Sequence, residues 1–145
     1  MDFMTALDVS SSGMKAQRTS MNVISMNLAN IKTTKTPEGG AYRRKSVAFA
    51  ATPVKNPFDK AMEDEKEREL KGVSVRGIVT DKRPHKTVFE PGHPDANKEG
   101  YVNYPDINVV EEMANMITTM RSYEANVQAI QDTKAMFNKA LQIAR

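Results

Sequence analysis

The C-terminal third of the chain, residues 100–145, carries the longest hydrophobic repeat in the sequence and constrains the fold more than any other stretch. Large apolar residues recur there at alternating spacings of three and four, with one break at Lys134. Neither Gly nor Pro occurs after Pro105. About 40 helical residues at 1.5 Å each make a rod about 60 Å long. The pattern therefore predicts one long helix with a single C-terminal seam, formed by Val109, Met113, Met116, Met120, Tyr123, Val127, Ile130, Phe137 and Leu141.

The start of this helix is marked by capping residues. Asp106 or Asn108 supplies the N-cap, and Glu111 and Glu112 follow where carboxylates suit the positive end of a helix. A seam of this kind most often belongs to an ordinary core helix in a bundle. Its length favours a helix that also packs on other chains.

A second helical pattern runs from Phe3 to Ile31 and is weaker than the first. Three serines and Gly13 lower the helix propensity near its start, so the first dozen residues are the least secure part, and Asp8 or Ser10 is a possible later start. The N-terminal seam consists of Phe3, Leu7, Met14, Met21, Ile24, Leu28 and Ile31.

Gly and Pro divide the chain into three parts, because thirteen of the fourteen lie between Pro37 and Pro105. This distribution predicts an N-terminal helix in 1–34, a β-rich centre in 35–105 and a C-terminal helix in 106–145. The charged run at 59–71 is either a solvated helix or a mobile loop. The predicted strands are 42–54, 73–79 and 87–89.

Composition excludes several functional classes. The net charge is +3 with both signs interleaved, and the basic cluster Arg43, Arg44 and Lys45 lacks interleaved aromatics, so nucleic acid is not an expected partner. Cysteine is absent, which removes disulfides and thiolate metal sites. No run of 18 apolar residues is present. Asp2 and the polar stretch 10–13 do not fit a cleavable signal peptide.

Only one cluster has the residue types of a metal or catalytic site: His85, Glu90, His93 and Asp95. These residues lie on an extended segment broken by prolines, whereas zinc ligands are usually closely spaced on a helix or knuckle. The motifs of zinc proteases, phosphate loops and nucleophile elbows are missing. We therefore predict no catalytic residues, no metal and no cofactor.

Two stretches at opposite ends of the chain resemble the bacterial flagellar basal-body rod protein family. Residues 24–33 read ISMNLANIKT and residues 112–126 read EMANMITTMRSYEAN, which match the two signatures of that family. In the centre, 36–45 (TPEGGAYRRK) and 90–97 (EPGHPDAN) resemble the proximal-rod members most closely. The match departs at Asp106, where the family often has Asn.

The resemblance implies a structural subunit without enzymatic activity. Such proteins are exported unfolded by the flagellar type III apparatus, without a cleavable signal peptide. They polymerise in the periplasm into the hollow basal-body rod that transmits torque from motor to hook. The expected fold class is α+β, mainly α, with long N- and C-terminal helices packed as an antiparallel coiled-coil-like pair and a small β-rich central segment between them in the sequence. The implied partners are copies of itself, other rod proteins, and the membrane-embedded ring and export apparatus at the rod base, with no nucleic acid and no small-molecule substrate.

Subunit contacts are expected on both seams and on the signature residues beside them. Asn27 and Asn30 are expected to satisfy polar groups between subunits, although Asn30 is alternatively the cap of its own helix. Two rival classes remain at this point: a cytoplasmic coiled-coil adaptor, and a metal-dependent enzyme that uses His85 and His93. The expected interface residues are Leu7, Met14, Met21, Ile24, Asn27, Leu28, Asn30, Ile31, Met113, Met116, Met120, Tyr123, Glu124, Asn126, Val127, Ile130, Phe137 and Leu141.

Overall fold

The computed structural model describes residues 3–53 and 71–143. Two long helices flank a small β-rich segment in the sequence, which confirms the predicted mainly helical α+β class. Most of the charged run at 59–71 lies outside the described residues. The elements in chain order are α1 (Phe3–Ala29), β1 (Lys45–Pro53), β2 (Lys71–Thr80), β3 (Lys86–Phe89), β4 (Tyr101–Tyr104) and α2 (Val109–Ile143).

Helix α1 begins at Phe3 and passes through the serine run and Gly13 without interruption. The predicted helical pattern from Phe3 is therefore confirmed, and the alternative later start at Asp8 or Ser10 is wrong. Ser12 Oγ donates to the Val9 carbonyl at 2.7 Å, so this hydroxyl is satisfied by its own helix. Packing outweighs the weak local propensity of this segment.

The end of α1 is held by a side chain. Asn30 Nδ2 donates to the Met26 carbonyl at 2.8 Å, and Thr33 Oγ1 donates to Asn30 Oδ1 at 3.1 Å. The Met26 carbonyl also accepts from the Asn30 N–H at 3.1 Å, so the Asn30 side chain adds a second bond at the end of its own helix, in line with the alternative interpretation.

Helix α2 is a single helix of 35 residues, as its hydrophobic repeat predicted. Asn108 is its N-cap, because Asn108 Oδ1 accepts a hydrogen bond from the Val110 N–H at 3.0 Å. Asp106 is not the cap. Its carboxylate instead lies 3.7 Å from Arg83 Nη1.

The two helices form an antiparallel pair. Phe3 stacks on Phe137 with ring centroids 4.5 Å apart, and at the other end of α1 Asn27 bonds to Glu112 near the start of α2. Between these points the Asn126 side chain of α2 lies against Gly13 of α1, because a Cβ added at Gly13 would lie only 3.1 Å from Asn126 Oδ1.

Strands β1 and β2 form an antiparallel hairpin that runs along α1. The register runs from Lys45 opposite Thr80 to Pro53 opposite Lys71, with a bulge between Ala48 and Phe49. The Val73 N–H donates to Ser12 Oγ of α1 at 3.0 Å. One face of the hairpin carries mainly small residues, which permit a close approach: Ala48, Ala50, Gly72 and Ser74.

Strands β3 and β4 form a second antiparallel pair, from Lys86 opposite Tyr104 to Phe89 opposite Tyr101. The three predicted strands are present with slightly different ends, but β4 was not predicted. Gly100 precedes β4 with φ +83°. A Cβ there would lie 2.8 Å from the Phe89 ring, so this turn requires glycine for both backbone and space.

Candidate functional site

Asn27 lies at the meeting point of both helices and β1. Its Nδ2 donates to the Lys45 carbonyl at 2.8 Å and to Glu112 Oε2 at 3.0 Å. Its Oδ1 accepts from the Lys45 N–H at 2.9 Å and from the Tyr42 hydroxyl at 3.1 Å. Asn27 is 1% exposed, and both donors and both acceptor positions of the amide are used.

Glu112 is a buried carboxylate with a cationic partner. Its Oε1 accepts from Arg44 Nε at 2.7 Å and lies 2.6 Å from Arg44 Nη2, while Oε2 accepts from Asn27. Glu112 is 1% exposed, so an unpaired charge here would be costly. The neighbouring Glu111 is exposed and only reaches within 4.0 Å of Arg44.

Tyr42 completes this buried group. Burial, followed by the negative charge of Glu112, raises the pKa of the Tyr42 phenol above its ordinary value. Lys45 Nζ lies 5.7 Å from the centroid of the Tyr42 ring. We call Asn27, Tyr42, Arg44 and Glu112 the hub, because together they join α1, the segment before β1 and α2.

The hub corrects the expectation for Asn27. We expected this amide to satisfy groups between subunits, but the structure uses all of its bonds inside one chain. The reason is geometric, because the amide matches the free N–H and C=O of Lys45 at the edge of β1. Ile24, another expected interface residue, is also buried within the chain.

The C-terminal seam does not face α1 as one stripe. Four of its members are half-buried: Met116, Tyr123, Val127 and Ile130. Five are exposed: Val109, Met113, Met120, Phe137 and Leu141. The buried residues of α2 are instead Glu112 and Thr119. Thr119 fits there because it is small and its hydroxyl donates to the Asn115 carbonyl at 2.7 Å.

The N-terminal seam is more enclosed than the C-terminal one. Leu7, Met14, Met21, Leu28 and Ile31 are half-buried, as is Asn30. Three further residues of α1 are buried although the sequence did not predict it: Thr5, Ala16 and Val23. Thr5 is polar and Ala16 is small, so neither belongs to a repeat of large apolar residues.

An apolar row on the first half of α2 is exposed in the described part of the chain. Four residues fall within an arc of about 80° at 3.6 residues per turn. Among the elements that the structure describes, α2 packs against α1 alone. We call this row the α2 stripe; its members are Val110 (75% exposed), Met113 (53%), Ile117 (50%) and Met120 (47%).

The two polar residues of α2 that were expected at the interface differ in exposure. Asn126 is half-buried and lies against Gly13, with its Nδ2 donating to the Ser122 carbonyl at 2.8 Å. Glu124 is exposed.

The candidate metal ligands were His85, Glu90, His93 and Asp95. Three of them make structural hydrogen bonds. Glu90 Oε2 accepts from the Tyr104 hydroxyl at 2.8 Å, a bond that is the main reason for the raised pKa of Tyr104. Asp95 Oδ2 accepts from Thr34 at 2.7 Å, and His93 Nδ1 accepts from the Asp95 N–H at 3.1 Å. Within 3–53 and 71–143, no three His, Asp or Glu residues are arranged to hold a metal ion.

None of the helices in the described ranges is both long and apolar enough to cross a membrane. The described residues thus form a helix pair in which a buried polar hub joins the helices near one end and the α2 stripe is exposed.

Comparison with known proteins identifies the family. A model described as "Flagella basal body rod protein" matches residues 7–35, and one described as "Flagellar basal body rod FlgEFG protein C-terminal" matches residues 98–143. The chain is 43% identical to the flagellar basal-body rod protein FlgC of Borreliella burgdorferi, covering 99% of this chain and 98% of that protein. It is 37% identical to FlgC of Bacillus subtilis, with 97% of each chain covered.

FlgC of Yersinia enterocolitica is 35% identical over the full length of both chains. The chain therefore belongs to the FlgC family of flagellar basal-body rod proteins. The hub connects the two matched regions, because Asn27 lies in the first and Glu112 in the second.

Proposed function

We propose that this chain is a structural subunit of the flagellar basal-body rod, and that it polymerises through its terminal helices into the hollow proximal part of the drive shaft. One observation carries the proposal beyond family membership. Helix α2 extends for 35 residues but packs against α1 alone among the described elements, which leaves the α2 stripe uncovered. Apolar rows of this kind mark protein interaction sites.

In this proposal the chain has three parts. Residues 1–34 and 106–145 form an inner layer of paired helices, and residues 35–105 lie outside it. Exposed seam residues meet neighbouring subunits directly, whereas half-buried ones hold the pair together and reach neighbours with the remainder of their surface. Methionines suit such contacts because they fill unequal gaps. Among the residues of α2 that were expected at the subunit interface, the exposed ones are Met113, Met120, Glu124, Phe137 and Leu141.

The proposed partners are copies of the chain, other rod proteins, and the ring and export apparatus at the base of the rod. The proposed location is the periplasmic rod, reached by flagellar export without a cleavable signal peptide. The protein has no catalytic role in this proposal. The match to flagellar rod proteins covers nearly the whole chain, which favours this proposal over a cytoplasmic coiled-coil adaptor.

Fractionation of cells tests the proposal. Flagellar basal bodies purified from cells that carry the native gene are expected to contain the chain, as detected by immunoblotting. Electron cryomicroscopy of the same particles is expected to show paired helices lining a central channel. Recovery of the chain from the cytoplasmic fraction alone, with normal basal bodies that lack it, would overturn the proposal and favour the adaptor.

A further inference from the structure

The β1–β2 hairpin has an apolar face that is partly exposed in the described part of the chain. The register places Phe49 opposite Val75 and Ala51 opposite Val73, so these side chains share one side. Phe49 is 47% exposed and Val73 is 41% exposed. We call this surface the hairpin face; its members are Val47, Phe49, Ala51, Val73, Val75 and Ile78.

The hairpin face and the α2 stripe have similar lengths. From Val47 to Ala51 the strand advances about 14 Å at 3.4 Å per residue. From Val110 to Met120 the helix advances about 15 Å at 1.5 Å per residue. A single helix row of this length therefore covers the two-stranded face from end to end.

The charges around the two surfaces are complementary. The sequences of β1 and β2 contain Lys45, Lys71 and Arg76 and no Asp or Glu. Glu111, Arg121 and Glu124 are the exposed charged residues in the first sixteen positions of α2, because Glu112 is buried and paired with Arg44. Approach of one surface to the other therefore brings opposite charges together, which favours their association.

The two surfaces do not meet within one chain. Helix α2 packs against α1 and contacts neither β1 nor β2. They are different surfaces of the same molecule, so a contact between them is heterologous and repeats from copy to copy. Contacts of this type build rings or open helical assemblies, whereas a contact between two identical surfaces ends at a dimer.

We propose that the hairpin face of one copy receives the α2 stripe of the next copy. This inference rests on the proposed function as a rod subunit and adds which surface meets which. The outer hairpin then becomes an assembly surface in its own right, and the contacts of the rod extend beyond the terminal helices.

Cysteine cross-linking tests the proposal, because the chain contains no cysteine and each introduced thiol is unique. Ile78→Cys is placed on one tagged copy and Ile117→Cys on a second copy with a different tag in the same cells. Purified basal bodies are treated with a short bis-maleimide. We expect a cross-linked product that carries both tags. The matched control replaces Ile78→Cys by Val79→Cys, which is equally exposed but points to the opposite side of the strand, and should give at least tenfold less product.

The outcomes separate this inference from the proposed function. If basal bodies contain the chain and Ile78→Cys joins only itself, joins a different protein or forms no product, the hairpin proposal is overturned and the rod function stands. If the unsubstituted chain is absent from basal bodies, the rod function itself fails. The pair Val73→Cys and Met113→Cys replaces the first pair if either variant does not enter basal bodies, and the same outcomes apply to it.

Discussion

Asn27 and Glu112 are 85 positions apart in the chain, yet Asn27 Nδ2 donates a 3.0 Å hydrogen bond to Glu112 Oε2 in the interior. Arg44 approaches the same carboxylate from the central segment, with Nε 2.7 Å from Oε1. The terminal helices and the centre are therefore joined at one place by fully paired polar groups. Such pairs specify a register, because any shift of α2 along α1 leaves a buried charge without a partner.

Removal of the Glu112 carboxylate should destabilise the fold strongly. Glu112→Ala leaves Arg44 and the Asn27 amide without their buried partner, and we expect the free energy of unfolding to fall by about 3–5 kcal/mol. Glu111→Ala is the matched control, because Glu111 is exposed and lies 4.0 Å from Arg44; its effect should stay within about 0.5 kcal/mol. Urea unfolding followed by circular dichroism measures both. Equal effects of the two substitutions would contradict the role of the hub.

Tyr42 should make the stability depend on pH in the alkaline range. Its folded-state pKa is raised above 10.0, so the fold favours the neutral phenol. This contribution is fully present below pH 10.0 and is lost as the pH rises through the folded pKa, because the unfolded chain ionises first.

Tyr42→Phe tests this dependence. The variant should lose about 1 kcal/mol at neutral pH, where the bond to Asn27 is missing, and this deficit should shrink at alkaline pH. Tyr101→Phe removes a phenol hydroxyl outside the hub, and its effect at neutral pH should stay within about 0.5 kcal/mol. Unfolding curves at a series of pH values provide the comparison, and parallel profiles for the native chain and Tyr42→Phe would argue against the prediction.

Gly13 should be coupled to Asn126. A Cβ at Gly13 would lie 3.1 Å from Asn126 Oδ1, and Asn126 is held by its bond to the Ser122 carbonyl. Gly13→Ala gains about 1 kcal/mol of helix propensity but crowds this amide, so we expect a net effect close to zero. In an Asn126→Ala background the crowding is gone, and the same substitution should stabilise by about 1 kcal/mol. A double-mutant cycle by thermal unfolding measures the coupling, and strict additivity would show that the helices do not approach closely here.

Substitutions on α2 should separate folding from assembly. Ile117→Asp lies on the exposed α2 stripe, so we expect a stability change within about 0.5 kcal/mol but no motility and no chain in purified basal bodies. Ile130→Asp lies against α1, so it should cost about 1–3 kcal/mol and also prevent assembly.

Gln142→Asp is the same-helix control for these two variants, because it lies off both apolar rows and should permit swimming. Export acts on the unfolded chain in the proposed pathway, so all three variants should leave the cytoplasm. Normal motility of Ile117→Asp cells would show that the α2 stripe is not an assembly surface.

The sequence predicted the number and position of the helices because a repeat of three and four over many turns has few other solutions. It did not predict which side of α2 meets α1. The hydrophobic repeat identifies only large apolar residues. The buried residues on the side of α2 that packs against α1 are Glu112 and Thr119. Such a repeat does not detect Thr119, which is small, or Glu112, which pairs with an arginine far away in the sequence.

The hub was missed for a related reason. A glutamate in the first turn of a helix is expected there because it suits the positive helix end, so the sequence gives no reason to seek a partner for Glu112. Its partner Arg44 is 68 positions away. Strand β4 was missed because four residues between Gly100 and Pro105 carry a turn signal at each end. Both errors arise where a long-range contact overrides a local preference.

The pairing of Pro53 with Lys71 has a practical consequence for anyone who wishes to label this protein. Because these two residues are partners in the β1–β2 register, the end of β1 and the start of β2 lie next to each other. Doubling the length of a connection between such fixed points costs only about 0.6 kcal/mol in closure entropy. Extra residues inserted between Pro53 and Lys71, such as an epitope, a fluorophore-binding peptide or a reporter domain, therefore add little closure entropy to the β1–β2 pairing.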